Sequence, residues 1–169
     1  STVIDLSGSG PIILRPGKIT LSQIKKLIPC ATLDRTLLEK PSRDLQPKCP
    51  GMKYKHYAPD AQVIVYEGRL DCVAAQIKED ILKYRAEGKK VGVLCRADSG
   101  YRCDVVIEWG KTASEEAEHL FAALREFDRL GMDFILCEPA ENSDLGISIR
   151  NRLYKAAGYE IVRVGERHG

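Results

Sequence analysis

The chain holds 169 residues, with 26 Lys and Arg against 24 Asp and Glu for a formal charge of +2, and it is 44% apolar and 30% charged. This suits one ordinary domain of about 100–200 residues plus a tail, and the balance of apolar and charged residues excludes a disordered chain. No apolar run reaches the roughly 18 residues of a membrane span and no charged-then-apolar leader opens the sequence, so a cytoplasmic setting with no membrane partner is expected.

In chain order, Thr2 to Leu6 reads as a β-strand with no turn or cap before it, and Ile12 to Leu14 as a second short strand followed by Arg15-Pro16-Gly17. Thr20 or Ser22 can cap a short helix carrying Leu21, Ile24, Leu27 and Ile28, which Pro29 ends. Two strands and one short helix do not make an independent core. Residues 1–28 are therefore expected to be the closing part of a truncated α/β domain whose front would precede Ser1. Gly8-Ser9-Gly10 is no phosphate loop, because Pro11 and an apolar strand follow where a helix N-terminus is required. Residues 29–60 read as a linker: polar, punctuated by proline and without period, apart from a short amphipathic turn suggested by Leu33, Leu37 and Leu38.

From residue 61 strands and helices alternate. Gln62 to Tyr66 is a strand, and a helix from Asp71 places Ala74, Ile77, Ile81 and Tyr84 on one face before stopping at Gly88. Val91 to Cys95 is a buried-type strand. Asp104 to Glu108 is another, too close behind it for a helical crossover, so its partner and direction stay open. Thr112 with Glu115 forms a capping box for a helix with Ala117, Leu120, Phe121, Leu124 and Phe127 inward, closed by Gly131. Phe134 to Cys137 is a strand, Asn142 or Ser143 caps a helix carrying Leu145, Ile149, Leu153 and Ala156, and Ile161 to Val164 is the last strand. The series implies an α/β fold over residues 61–169, a three-layer Rossmann-like and mostly parallel sheet.

No G-x-G-x-x-G or G-x-x-x-x-G-K-[ST] follows any of these strands. Ligands of such sheets bind beyond the carboxyl ends of strands, here near Arg96, Ala97 and Asp98 or Glu138 to Asn142, and those loops carry no recognisable catalytic pair. Glu115, Glu116 and Glu118 suit the first turn of a helix electrostatically. Arg150 and Arg152 could meet a phosphate or another domain, or be solvated. His119 reads as structural. Six cysteines (Cys30, Cys49, Cys72, Cys95, Cys103, Cys137) include no C-x-x-C and no zinc-type spacing, and Cys95 and Cys137 fall in apolar strand patterns as core residues; no metal site is expected.

One stretch stands apart. Cys49 to Pro59 packs two prolines, a glycine, two tyrosines, two lysines and a histidine between the linker and the first strand of the α/β region. Its prolines bias Cys49 and Ala58 to extended backbone, so aromatic and cationic groups are displayed on a strap. With Lys40, Arg43 and Lys48 it makes a basic segment that could track a polyphosphate or an RNA backbone; equally, its charges could keep a plain linker extended and its tyrosines could cover an apolar edge.

Residues 50–59, PGMKYKHYAP, resemble the signature linker of the Sua5 branch of the Sua5/YciO/YrdC family, the L-threonylcarbamoyladenylate synthases. Ser1-Thr2-Val3-Ile4-Asp5 with Ile13-Leu14-Arg15-Pro16-Gly17 is similar to the closing strands of that family's catalytic domain. Leu124-Arg125-Glu126-Phe127-Asp128, Glu138-Pro139, Leu145-Gly146 and Ile149-Arg150-Asn151-Arg152-Leu153 are similar to its accessory domain. Cys49 departs from the serine often found there. The resemblance implies the C-terminal part of an enzyme, a nucleotidyltransferase that joins L-threonine, bicarbonate and ATP into threonylcarbamoyl-AMP and pyrophosphate for the t6A modification of tRNA. ATP would be a substrate, with Mg2+, and this part alone would need no cofactor and would be inactive. The implied ATP and threonine contacts are Ser1, Thr2 and Arg15; the implied gate over the site is Lys53, Lys55, His56 and Tyr57. Partners would be the missing catalytic domain, with tRNA or other tRNA-modification proteins beyond it. Two alternatives stand beside this: a non-catalytic module docking tRNA or a partner protein, and an independent nucleotide-binding enzyme, against which the missing phosphate loop argues.

Overall fold

The computed structural model describes residues 1–44, 46–50 and 58–165. A small sheet comes first: β1 (Val3–Asp5) runs antiparallel to β2 (Ile12–Arg15), and β3 (Thr32–Leu33) joins β2 in parallel. Between them, α1 (Leu21–Lys25) opens on a capping box in which Thr20 and Gln23 each accept from the other's backbone N–H. Ser22, the other candidate cap, turns instead to Asp144. The helix ends short of Ile28, and Leu27 is left 86% exposed. Ile13, Ile24 and Ala31 form a small core of their own. Because β3 lies beyond residue 28, the stretch that reads as linker begins with paired backbone and buries Leu37.

The second sheet is built from β4 (Gln62–Gly68), β5 (Val91–Arg96), β6 (Val105–Gly110), β7 (Phe134–Cys137) and β8 (Ile161–Val164), with α2 (Leu70–Ala86), α3 (Ala113–Arg129) and α4 (Asp144–Ala156) between them. Its five strands lie in the order β6-β5-β7-β4-β8, and every pairing is parallel. Strand alternation sorts the core into two layers. Val63, Val65, Leu94, Ile135 and Cys137 face Leu120, Leu124 and Phe127 of α3 and Ile149 and Leu153 of α4. Ile64, Tyr66, Val91, Val93, Cys95 and Leu136 face Val73, Ile77 and Ile81 of α2. The Thr112 and Glu115 capping box forms as the sequence predicts, Ser143 caps α4, and Gly88 and Gly131, at φ of 77° and 72°, end α2 and α3.

The strand left without a partner, at 104–108, is an edge strand parallel to β5. Eight residues can make the return because it carries no helix: at about 3.3 Å each they can reach at most ~26 Å, against ~20 Å for a strand of this length. Tyr101 anchors the return against the α2 layer, where its hydroxyl donates to Glu138 Oε1 at 2.7 Å. Connections moving toward β6 thus lie on the α2 face and those moving toward β8 on the α3 and α4 face, the arrangement that right-handed crossovers require. The direction changes between β7 and β4, which places a switch point at their carboxyl ends.

Gly92 shows how closely α3 sits on the sheet. A Cβ there would lie 2.5 Å from Cε1 of the fully buried Phe127. Gly92→Ala is expected to cost about 1–3 kcal/mol, read as a lower urea midpoint; an unchanged midpoint would mean that Phe127 has room to turn away.

Three polar contacts dock the N-terminal segment on α4. Ser148 Oγ donates to Gly17 O at 2.9 Å, Asn151 Nδ2 donates to Leu37 O at 2.7 Å, and Ser22 hydrogen-bonds Asp144. Ser148 and Asn151 are buried, so each contact satisfies a group that burial would otherwise penalise.

Candidate functional site

Arg15 is the last residue of β2, paired across the ladder with Val3. Its Nε donates to Ser1 O at 3.0 Å and its Nη1 to Pro50 O at 2.9 Å. One planar guanidinium therefore holds the start of β1 and the entry to the 50–59 strap together. The turn after it presses on the same residues, since a Cβ on Gly17 would lie 2.5 Å from Thr2 N and 2.7 Å from Ser1 C. Thr2 Oγ1 donates to Ile19 O at 2.8 Å, which leaves its oxygen as an acceptor, while Ser1 is exposed.

Two further cations reach this corner from α4. Burial, then the Arg15 charge, holds the Arg152 guanidinium below its ordinary range. Lys155 is 9% exposed, and burial lowers its ammonium, with Cys49 opposing and Arg15 and Arg152 adding to the shift. Among the described residues neither Arg15 nor Arg152 is paired with a carboxylate. Three cations gathered with partial loss of solvent repel one another, and an anion among them relieves that repulsion. The chemistry on offer is a clamp for phosphate or carboxylate oxygens, not a nucleophile or a proton relay.

The strap is secured at its far end as well. Asp128, at the end of the α3 core stripe, accepts from Asp60 N at 3.0 Å and from Ala61 N at 3.3 Å as the chain enters β4. Lys53, Lys55, His56 and Tyr57 lie outside the described residues. No group of three or more His, Cys, Asp or Glu among the described residues is arranged to hold a metal ion, and the junction offers cations rather than the oxygen donors magnesium takes.

Of the residues singled out from sequence, Ser1, Thr2 and Arg15 come together here. Arg150 and Arg152 do not share a site: two positions apart on a helix they face different ways, and Arg150 Nε goes to Glu67 at 3.5 Å at the carboxyl end of β4. Lys155 was missed by sequence reasoning, although its position three residues after Arg152 puts the two on one helix face. Asp128 was noted only as part of a family-like run; nothing local marks it as the acceptor for residues 60 and 61. No helix among the described residues is long and apolar enough to cross a membrane.

The fold is that of an α/β domain with an all-parallel five-stranded sheet and a docked N-terminal segment. Residues 19–158 match the family described as "Threonylcarbamoyl-AMP synthase, C-terminal domain", and the chain belongs to that family, as its sequence motifs implied. It is 48% identical over 164 residues to the threonylcarbamoyl-AMP synthase of Pyrococcus abyssi, covering 97% of this chain and 47% of that protein. It is 38% identical over 167 residues to the Bacillus subtilis protein of the same name, covering 96% of this chain and 46% of that one. The crystal structure of P. abyssi Sua5 complexed with L-threonine is similar with a TM-score of 0.88 at 46% identity, covering 97% of this chain and 47% of that structure. The chain thus spans about half the length of the curated relatives it matches.

Proposed function

We propose that this chain is the C-terminal part of an L-threonylcarbamoyladenylate synthase, a nucleotidyltransferase that converts L-threonine, bicarbonate and ATP to threonylcarbamoyl-AMP and pyrophosphate. The observation that carries the reading is Arg15, whose guanidinium ties Ser1 to Pro50 within reach of the Arg152 and Lys155 charges. In this reading β1 and β2 complete one wall of a substrate site whose remainder belongs to a catalytic domain. Condensing three small reactants depends on holding them together and on cations against the triphosphate. Arg15, with Arg152 and Lys155 behind it, supplies charge on that wall. Magnesium would come with the nucleotide and is assigned no ligand in this chain. Threonylcarbamoyl chemistry passes through a labile carbamate, so the strap, fixed at Pro50 by Arg15 and at Asp60 by Asp128, serves to close over the site and exclude water.

The test uses the full-length enzyme. His56→Ala together with Tyr57→Ala should lower pyrophosphate release by about tenfold or more if closure matters, while thermal unfolding of the accessory domain stays unchanged. Undiminished turnover would refute the lid. Calorimetric titration of this chain and of full-length protein with L-threonine tests the division of labour: binding by the full-length protein alone supports it, and L-threonine binding by this chain alone would refute it.

A further inference from the structure

The switch point of the parallel sheet carries a cleft that the junction does not use. It measures about 510 Å³ and is lined by Glu67 and Gly68 at the end of β4, Arg96 at the end of β5, Pro139 to Asn142 after β7, Leu70 and Arg150. In open α/β sheets this is where ligands bind, and the volume lies within the ~300–1,000 Å³ typical of small-molecule sites.

What makes the cleft more than a gap is its two arginines. Arg96 turns its Nε toward Oε1 of the fully buried Glu116 at 3.3 Å, and Arg150 turns its Nε toward the half-buried Glu67 at 3.5 Å, while Glu67 also accepts from Tyr154 Oη at 2.7 Å. Each guanidinium is thus held along one edge by a carboxylate that is itself fixed. The opposite edge is open: neither arginine donates a hydrogen bond from a terminal Nη nitrogen among the described residues, although both side chains line the cleft. The Arg96 and Glu116 atoms that face each other are not aligned as a hydrogen bond, so that edge is held by charge alone.

The two heads stand over the ends of β5 and β4, which flank β7. α2 begins beside the end of β4 with no side-chain cap from Arg69, but Asp71 in its first turn already takes the Cys72 N–H at 2.9 Å, so the helix start is not part of the anion site. Leu70, Pro139 and Ala140 provide an apolar wall in the same cleft. Oxygen-binding forks beside an apolar wall together select an organic phosphate over either a bare ion or a neutral molecule.

We infer that the accessory domain binds a small organic phosphate in this cleft, its phosphate oxygens taken by Arg96 and Arg150 and its body laid against Leu70, Pro139 and Ala140. The site is separate from the junction, because Arg150 and Arg152 leave α4 on different sides.

The test is residue-specific NMR on the present chain titrated with AMP, with inorganic pyrophosphate and with succinate. AMP should give saturable shifts of the Gly68, Ala140 and Asn142 amides, stronger than those from pyrophosphate, and succinate should give the weakest. Arg150→Met should weaken AMP binding at these amides about tenfold or more, the scale of one charge-assisted contact, and Arg152→Met should leave it unchanged. If Arg150→Met does not fold, Arg150→Lys, which keeps the charge and loses the fork, should weaken binding in the same direction. No saturable shift at these amides with millimolar AMP would overturn the site. So would an equal loss in Arg152→Met, or succinate binding as tightly as AMP.

Discussion

Full-length enzyme carrying Arg15→Met is expected to form threonylcarbamoyl-AMP about 10²-fold more slowly than the parent, the scale of removing one pre-aimed donor from a reaction in which charge is stabilised by position. Methionine keeps much of the bulk and removes both hydrogen bonds, to Ser1 O and to Pro50 O. The ladder between β1 and β2 should survive, since it rests on backbone pairing and on the Ile13, Ile24 and Ala31 core. Circular dichroism and the urea midpoint should therefore change little while turnover falls. Arg15→Lys distinguishes charge from geometry: an ammonium cannot bridge two carbonyls in one plane, so recovery should be slight. Full activity in Arg15→Met would remove the observation on which the proposed function stands.

A second large effect concerns stability. Glu116 is fully buried in the first turn of α3; its Oε2 accepts from Glu141 N at 2.9 Å, and Arg96 is its counter-charge. Arg96→Met leaves that carboxylate without a cation and should cost about 3–5 kcal/mol at pH 7. Glu116→Gln in the same chain removes the charge, keeps the acceptor for Glu141, and should restore most of the loss, a coupling that a double-mutant cycle measures. The pH dependence follows from the direction of the shift. Burial raises the Glu116 carboxyl, and the Glu141 N–H and Arg96 only partly oppose it. A pKa raised on folding favours the native state at pH below the unfolded value, and the contribution is lost as pH rises through the folded one. The parent should thus lose stability relative to Glu116→Gln as pH climbs above about 4.5, the ordinary carboxyl value, and Arg96→Met should steepen that slope. Equal pH profiles for parent and Glu116→Gln would show that the carboxylate is as well solvated folded as unfolded. Reading α3 from sequence treats Glu116 as one of three helix-dipole acids; only its neighbours across the sheet make it different.

Much of this protein is written locally. The short apolar runs at 62–66, 91–95 and 134–137, the helical stripe from Leu120 to Phe127, and the caps at Thr112 and at Asn142 or Ser143 were legible because each signal lies within a turn or two of chain. The family was legible for a similar reason, since Pro50 to Pro59 and the short runs around Arg15 and Arg150 are continuous in sequence. Site residues needed more. Arg15 could be named as a cation at a strand end, but that it grips Pro50 is a contact across 35 residues, and Asn151 reaches Leu37 across 114. The partner and direction of the edge strand β6 escaped a local reading because its helix-free return is fixed by Tyr101 against the α2 layer and Glu138, not by a pattern of its own. By itself the sequence determined the strands and helices from residue 62 onward, which of their faces are apolar, and which residues are chemically able to hold an anion. Helix spacing already separates Arg150 from Arg152, but tertiary structure decided which cations share a field, because only chain reversal brings Arg15 to Arg152 and Lys155, and that approach is not encoded in spacing along the chain.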